Sequence, residues 1–306
     1  MKFITYQDQA GKVRLGYLQD ENTVVDVHEA SGGSLPDNIL SFLENSAENM
    51  RVLSGMTAGS EGTHSIKDIS IKAPIPRPVS VRDFYAFEEH VKTARRNRGL
   101  DVVPEWYEMP VFYFTNHLAV KGDGDTIQRP AGCMWLDFEL EIACVIGKEG
   151  RNISKEKADE YIFGYCIMND WSARDLQREE MKVGLGPAKG KDFATSIGPY
   201  IVTKDELETY RDGDRYNLEM TAKVNGRELS KGNFKSIHYT FAEMIERASA
   251  DVTLYPGEVI GSGTVGTGCI LELGTDVHRW LEQGDTVELE ITGLGKLRNE
   301  IREGGF

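Results

Sequence analysis

Four carboxylates, Asp83, Glu139, Glu141 and Asp170, lie in polar-aromatic stretches too irregular for ordinary surface decoration. If they converge they form an all-oxygen cage. A donor set without His or Cys suits a hard cation, Mg²⁺, Ca²⁺ or Mn²⁺, better than zinc. The central pair sits in Leu136-Asp137-Phe138-Glu139-Leu140-Glu141-Ile142, where acids and apolar residues alternate with the period of a β-strand. Glu139 and Glu141 then face one way, with Phe138, Leu140 and Ile142 packed behind. Two like charges at adjacent same-face positions repel unless a cation or water compensates them. Taken singly, each of the four reads equally well as a solvated acid, because the chain carries a formal charge of −14.

Further candidates surround them. Asp170 lies in Ile167-Met168-Asn169-Asp170-Trp171-Ser172-Ala173-Arg174-Asp175-Leu176-Gln177, an apolar strand turning into a short helix. Arg174 and Gln177, three residues apart, share a face of that helix. Lys191 follows Gly190, where backbone approaches a ligand closely. His90 is the one histidine of six placed seven residues after a candidate ligand, Asp83. It reads as a general base or as a packing residue of its helix.

The elements that must position these groups are legible in outline. Short strands are expected at Lys2 to Tyr6, Val13 to Leu18 and Thr23 to Asp26, then a helix from Ile39 to Leu53. Three alternate prolines, Pro74, Pro76 and Pro78, remove backbone donors and mark a boundary near residue 75. That gives a small N-terminal domain over 1–75 and a larger domain over 76–306. A helix is expected from Glu88 to Arg98 with Gly99 after it, and another from Ser154 through Ile162. The run Phe163 to Met168 reads as a buried strand delivering Asn169 and Asp170 at its end. Later strands, Leu218 to Val224, Cys269 to Leu273 and Thr286 to Thr292, alternate with glycine turns and a single helix, Thr240 to Ala248. The pattern is β-rich α+β rather than doubly wound.

Gly261-Ser262-Gly263-Thr264-Val265-Gly266 satisfies the dinucleotide pattern G-x-G-x-x-G, yet a strand-like run follows where a phosphate-binding helix is required. A tight turn is the expected structure. The acidic balance argues against nucleic-acid and anionic-membrane partners, and no apolar run reaches the length of a spanning helix. Cys133, Cys144, Cys166 and Cys269 show no paired spacing, which together with an N-terminus lacking an apolar leader points to a cytoplasmic protein.

Five segments taken together resemble the fumarylacetoacetate hydrolase family: Asp83-Phe84-Tyr85 with His90, Leu136 to Glu141, Met168 to Gln177, Gly190-Lys191-Asp192-Phe193 and Gly263-Thr264. The likeness covers about residues 80 to 300. It implies a mixed β-sandwich roll with a small N-terminal α/β subdomain, a homodimer, and Mg²⁺ or Ca²⁺ held by Asp83, Glu139, Glu141 and Asp170. Lys191 and Thr195 match positions around that metal. It also implies that His90, assisted by Glu272, activates water, that Arg174, Gln177 and Lys191 stabilise developing charge, and that Tyr85, Arg98, Tyr113, Gln177 and Thr264 contact substrate. The implied reaction is hydrolysis of a C–C bond in a small anionic β-diketo acid, fumarylacetoacetate or an acylpyruvate, in aromatic-compound catabolism.

Two departures bear on specificity. A pocket tyrosine of the namesake enzyme is replaced by Met181, a thioether without a hydrogen-bonding phenol. Many smaller relatives carry an acid three residues after the histidine, where this chain has Thr93, so a dyad requires Glu272. The family also contains oxaloacetate decarboxylases, hydratases and hydroxymuconate isomerases, and a non-catalytic metal-binding scaffold is the remaining reading. The absent acid at 93 together with His90 favours hydrolysis over decarboxylation, since hydrolysis needs an activated water.

Overall fold

A computed structural model describes residues 1–56 and 62–304. Its centre is a pair of antiparallel strands, Leu140–Ile146 and Ile162–Asp170, buried along their whole length. Both read as nearly continuous apolar runs, as strands covered on two faces must. Within Leu140–Ile146 the side chains alternate between two cores. Ile142, Cys144 and Ile146 join one that includes Met220, Leu289 and Ile301, whereas Ala143 and Val145 join another with Phe3, Phe42 and Phe163.

These strands belong to a 12-stranded mixed sheet among the described residues. Outward from Leu140–Ile146 on one side lie Val259–Gly261, Val81–Phe84 and the edge strand Phe112–Phe114. Outward from Ile162–Asp170 lie Thr195–Thr203, Lys2–Gln7, Val13–Leu18 and Thr23–Asp26. A second sheet, ordered Arg227–Asn233, Glu219–Val224, Thr286–Ile291, Gly295–Glu303 and Thr126–Arg129, supplies the facing layer. The helix Phe241–Ser249 begins with Thr240 and Glu243 in a reciprocal cap. No helix among the described residues is long and apolar enough to cross a membrane.

The segment before the prolines is bonded into this sheet, with Lys2 opposite Val202 and Phe3 opposite Ile201. The Phe3 ring lies 5.3 Å from those of both Phe42 and Phe163 in tilted contacts, tying the N-terminal strand and helix to the central strands.

Three expected elements differ. The helix over 39–53 is two helices, Ile39–Glu44 and Ser46–Ser54, because Asn45 leaves helical geometry and Ser46 Oγ donates to the Gly147 carbonyl at 2.7 Å. The run from Ser154 forms only the 3₁₀ turn Ala158–Tyr161 before the strand starts at Ile162. Cys269 to Leu273 is a helical turn, Ile270–Leu273, rather than a strand. Its first N–H groups, on Ile270 and Leu271, donate to the buried Asp137 carboxylate at 2.8 and 3.0 Å. A helical turn therefore does follow the glycine motif, but its leading donors are occupied and offer no phosphate cradle.

Because the N-terminal strands share backbone pairing and core with the rest, the chain should unfold in one cooperative step. Phe3→Ala should cost about 3–5 kcal/mol and shift that single transition seen by near- and far-ultraviolet circular dichroism. A separate early N-terminal transition would contradict the shared core.

Candidate active site

Strand register brings the carboxylates together. Asp83 lies opposite Gly261, and Gly261 opposite Ala143, two residues along from Glu141. Glu141 lies opposite Met168, two residues before Asp170, which lies opposite Thr195. Partners across a ladder share a face, as do residues two apart. Asp83, Glu141, Asp170 and Thr195 thus project from one face of adjoining strands, and Tyr113 joins them opposite Asp83. Gly261 keeps the middle of this face open: a Cβ there would stand 2.6 Å from Asp83 Oδ1 and 2.9 Å from Met168 Cε.

One oxygen from each of Asp83, Glu139, Glu141 and Asp170 lies within 4.8 Å of the others, and all four residues are buried. At that separation each pair of charges repels by about 3 kcal/mol or more at an effective dielectric of about 20. The protein offsets only part of this. Glu139 receives Arg174 Nη2 at 2.9 Å and the Lys191 ammonium. Lys191 Nζ also donates to Asp170 Oδ2 at 2.5 Å, as does the Tyr113 hydroxyl. Burial opposes the charge on Glu139, but Lys191 and Arg174 outweigh it and hold that carboxyl below its usual range. Asp83 and Glu141 behave oppositely: burial, then repulsion from Asp170 and Asp83 respectively, pushes both well up. Glu141 Oε2 and Asp170 Oδ1 are buried with no hydrogen-bond partner, as is the Thr195 hydroxyl. Orphaned, converging carboxylate and hydroxyl oxygens are the donor set of a hard divalent cation.

These residues open into a cavity of about 320 Å³ lined also by Tyr85, His90, Arg98, Tyr113, Gln177, Met181 and Thr264. His90 projects from the first turn of Glu88–Arg96 and is buried, its ring 5.2 Å from that of Tyr85 in an edge arrangement. Burial pushes the Tyr85 phenol up to about 12, so it stays protonated. Glu272, on the turn Ile270–Leu273, brings Oε2 to 2.8 Å from His90 Nδ1. Nδ1 makes no aligned hydrogen bond despite that approach. Arg174 Nη1 donates to Gln177 Oε1 at 3.2 Å, leaving the Gln177 amide to donate. Thr264 Oγ1 reaches Glu141 Oε1 at 3.4 Å. Arg98 is exposed at the rim.

All the candidates therefore gather around one cavity or immediately behind it. Three neighbours were not singled out in the sequence. Asp137 binds Arg174 Nε at 2.9 Å as well as the turn carrying Glu272. Arg95 lines the cavity, three residues before Arg98, a spacing at which its helix could have disclosed it. Cys269 sits 3.5 Å from Glu272 Oε2, three residues on, a contact hidden when 269–273 is read as a strand.

The family model for the fumarylacetoacetate (FAA) hydrolase C-terminal region matches residues 80–302. The chain is 30% identical over 241 residues to the oxaloacetate tautomerase YisK of Bacillus subtilis (strain 168), covering 78% of this chain and 75% of that protein. It is 32% identical to the fumarylacetoacetase of Arabidopsis thaliana over 67% of this chain and 63% of that enzyme. The solved structure of a fumarylacetoacetate hydrolase from psychrophilic Exiguobacterium antarcticum superposes with a TM-score of 0.77 at 26% identity, covering 99% of this chain and 100% of that one.

A divalent ion relieves the repulsion of Asp83 and Glu141, so Mg²⁺ should raise the melting temperature. Since burial and mutual repulsion make those carboxyls hold protons more strongly than ordinary acids, the increment should shrink as pH falls and protons compete with the ion. Glu141→Ala should abolish most of it. Calorimetric melting with and without Mg²⁺ checks both, and an increment independent of pH and of Glu141 would contradict the site.

Proposed function

The chain belongs to the fumarylacetoacetate hydrolase family, and from that premise we propose that it is a divalent-metal-dependent hydrolase. It cleaves a C–C bond of a β-diketo acid of the acylpyruvate or fumarylacetoacetate type. The observation that carries this reading is the approach of Glu272 Oε2 to His90 Nδ1 at 2.8 Å beside the four-carboxylate cage. A buried imidazole with a carboxylate within reach of its Nδ1 supports the role of a water-activating base.

Asp83, Glu139, Glu141 and Asp170 would hold a divalent cation, which would supply Lewis acidity and lower the cost of negative charge developing on the substrate. The protein's own groups do the rest. With Nδ1 facing Glu272, His90 takes a proton from water at Nε2, and Glu272 stabilises the resulting imidazolium. The water oxygen bonds to the acyl carbonyl carbon. The adjacent C–C bond breaks, its electron pair passing to the 2-oxo acid fragment, and the proton held by His90 returns to that carbon. The products are two carboxylic acids. The Gln177 amide and the Lys191 ammonium face the cavity as donors to developing oxyanions. Arg174, committed to Asp137, Glu139 and Gln177, acts by holding the latter two in place.

The cavity lining combines an apolar wall with Arg95 and Arg98. Met181, Val111, Phe112, Pro187 and Leu271 form apolar wall around the charged end. Met181 offers no donor where the namesake has a phenol.

A second reading follows from the similarity to an oxaloacetate tautomerase. The same base and carboxylate cage could shift a proton between carbon and oxygen of an enolisable 2-oxo acid, or support decarboxylation or hydroxymuconate isomerisation. An absorbance screen of acylpyruvates, oxaloacetate and a hydroxymuconate separates these reactions. Acylpyruvate cleavage is expected, and His90→Ala should lower kcat by roughly 10²-fold or more without loss of the Mg²⁺-dependent stabilisation. Full turnover in His90→Ala, or tautomerisation without any cleavage, would overturn the hydrolase reading.

A further inference from the structure

We propose that His90, Cys269 and Glu272 form a second metal site, selective for a borderline ion such as Zn²⁺, whose occupation inhibits the enzyme by capturing the base. One donor atom from each lies within 4.8 Å of the other two, and all three residues are buried. Cys269 Sγ stands 3.5 Å from Glu272 Oε2, and His90 Nδ1 stands 2.8 Å from the same oxygen. Nδ1 has no aligned hydrogen-bond partner, so a strong nitrogen donor faces this cluster without one.

Imidazole, thiolate and carboxylate in one place are the ligand set of a tetrahedral zinc site, with a fourth position left for solvent. The contrast with the neighbouring cage is chemical, since Asp83, Glu139, Glu141 and Asp170 offer oxygen alone. The cluster is also held in place. Glu272 Oε1 accepts the Thr267 N–H at 3.2 Å, and Thr267 has φ +68°, a left-handed conformation that a β-branched residue adopts only under constraint. Asp137 fixes the start of the same turn.

Burial, with Asp137 nearby, raises the Cys269 thiol well above its ordinary range. Binding must therefore break the Sγ–H bond as the Sγ–metal bond forms, releasing one proton to solvent, so affinity rises with pH. Inhibition rests on the proposed role of His90 as a base, whereas binding does not.

Protein saturated with Mg²⁺ is titrated with Co²⁺ as a spectroscopic probe and, separately, assayed for hydrolysis with added Zn²⁺. The wild type should show thiolate-to-cobalt charge-transfer absorption that Cys269→Ser lacks. Inhibition of Cys269→Ser, relative to its own zinc-free rate, should need more than about tenfold more Zn²⁺, the least expected on losing a ligand. No sulfur charge-transfer band in the wild type would overturn the site, and equal zinc sensitivity in the two proteins would place inhibition at the carboxylate cage instead. A Cys269-dependent band in a protein that hydrolyses no β-diketo acid would uphold the site and overturn the reading of His90 as a hydrolytic base.

Discussion

The repulsion among Asp83, Glu139, Glu141 and Asp170 is the constraint around which this molecule is organised. Four buried carboxylates in one small volume would separate or take up protons if their backbones could move. They are held because each stands on a strand of one sheet, or at its end, in a register that also buries Phe3, Phe163 and Ile142. The apolar cores supply the rigidity and the carboxylates use it. Arg174 and Lys191 compensate Glu139 most directly, which leaves Asp83 and Glu141 as the groups that most need a further positive charge.

Asp137 joins this cage to the His90 side of the cavity. Its carboxylate takes Arg174 Nε on one side and the N–H groups of Ile270 and Leu271 on the other. Arg174 continues to Glu139 and Gln177, and the helical turn continues to Glu272. A buried acid without cavity exposure thus sets the spacing between the groups proposed to bind metal and those proposed to activate water. Its position explains how residues from distant parts of the chain keep a common geometry without a loop having to fold over them.

Much of this was legible in the sequence, for physical reasons that differ by residue. Glu139 and Glu141 declare a shared face through strand alternation, and the apolar run before Asp170 declares a buried strand. The convergence of Asp83 and Asp170 with them depends on strand order, which no local pattern carries, and only the family resemblance supplied it. Asp137 was hidden because it has the same alternation as Glu139 and because its partners are remote. Cys269 to Leu273 reads as a strand because a five-residue, mostly apolar run does not distinguish strand from helical turn. The break at Asn45 depends on Ser46 reaching the Gly147 carbonyl, again a remote contact. Local periodicity therefore disclosed the sheet, and the tertiary hydrogen bonds that shape the cavity lay beyond it.

In the proposed mechanism the His90–Glu272 pair delivers water to a carbonyl carbon beside the carboxylate cage. Its most direct test is turnover of an acylpyruvate in heavy-oxygen-labelled water, with mass analysis of the released acids. One solvent oxygen is expected in the carboxylate of the acyl fragment, formed by the wild type and reduced in rate by Glu272→Gln. Solvent hydrogen entering the substrate carbon with no labelled acid released would contradict it.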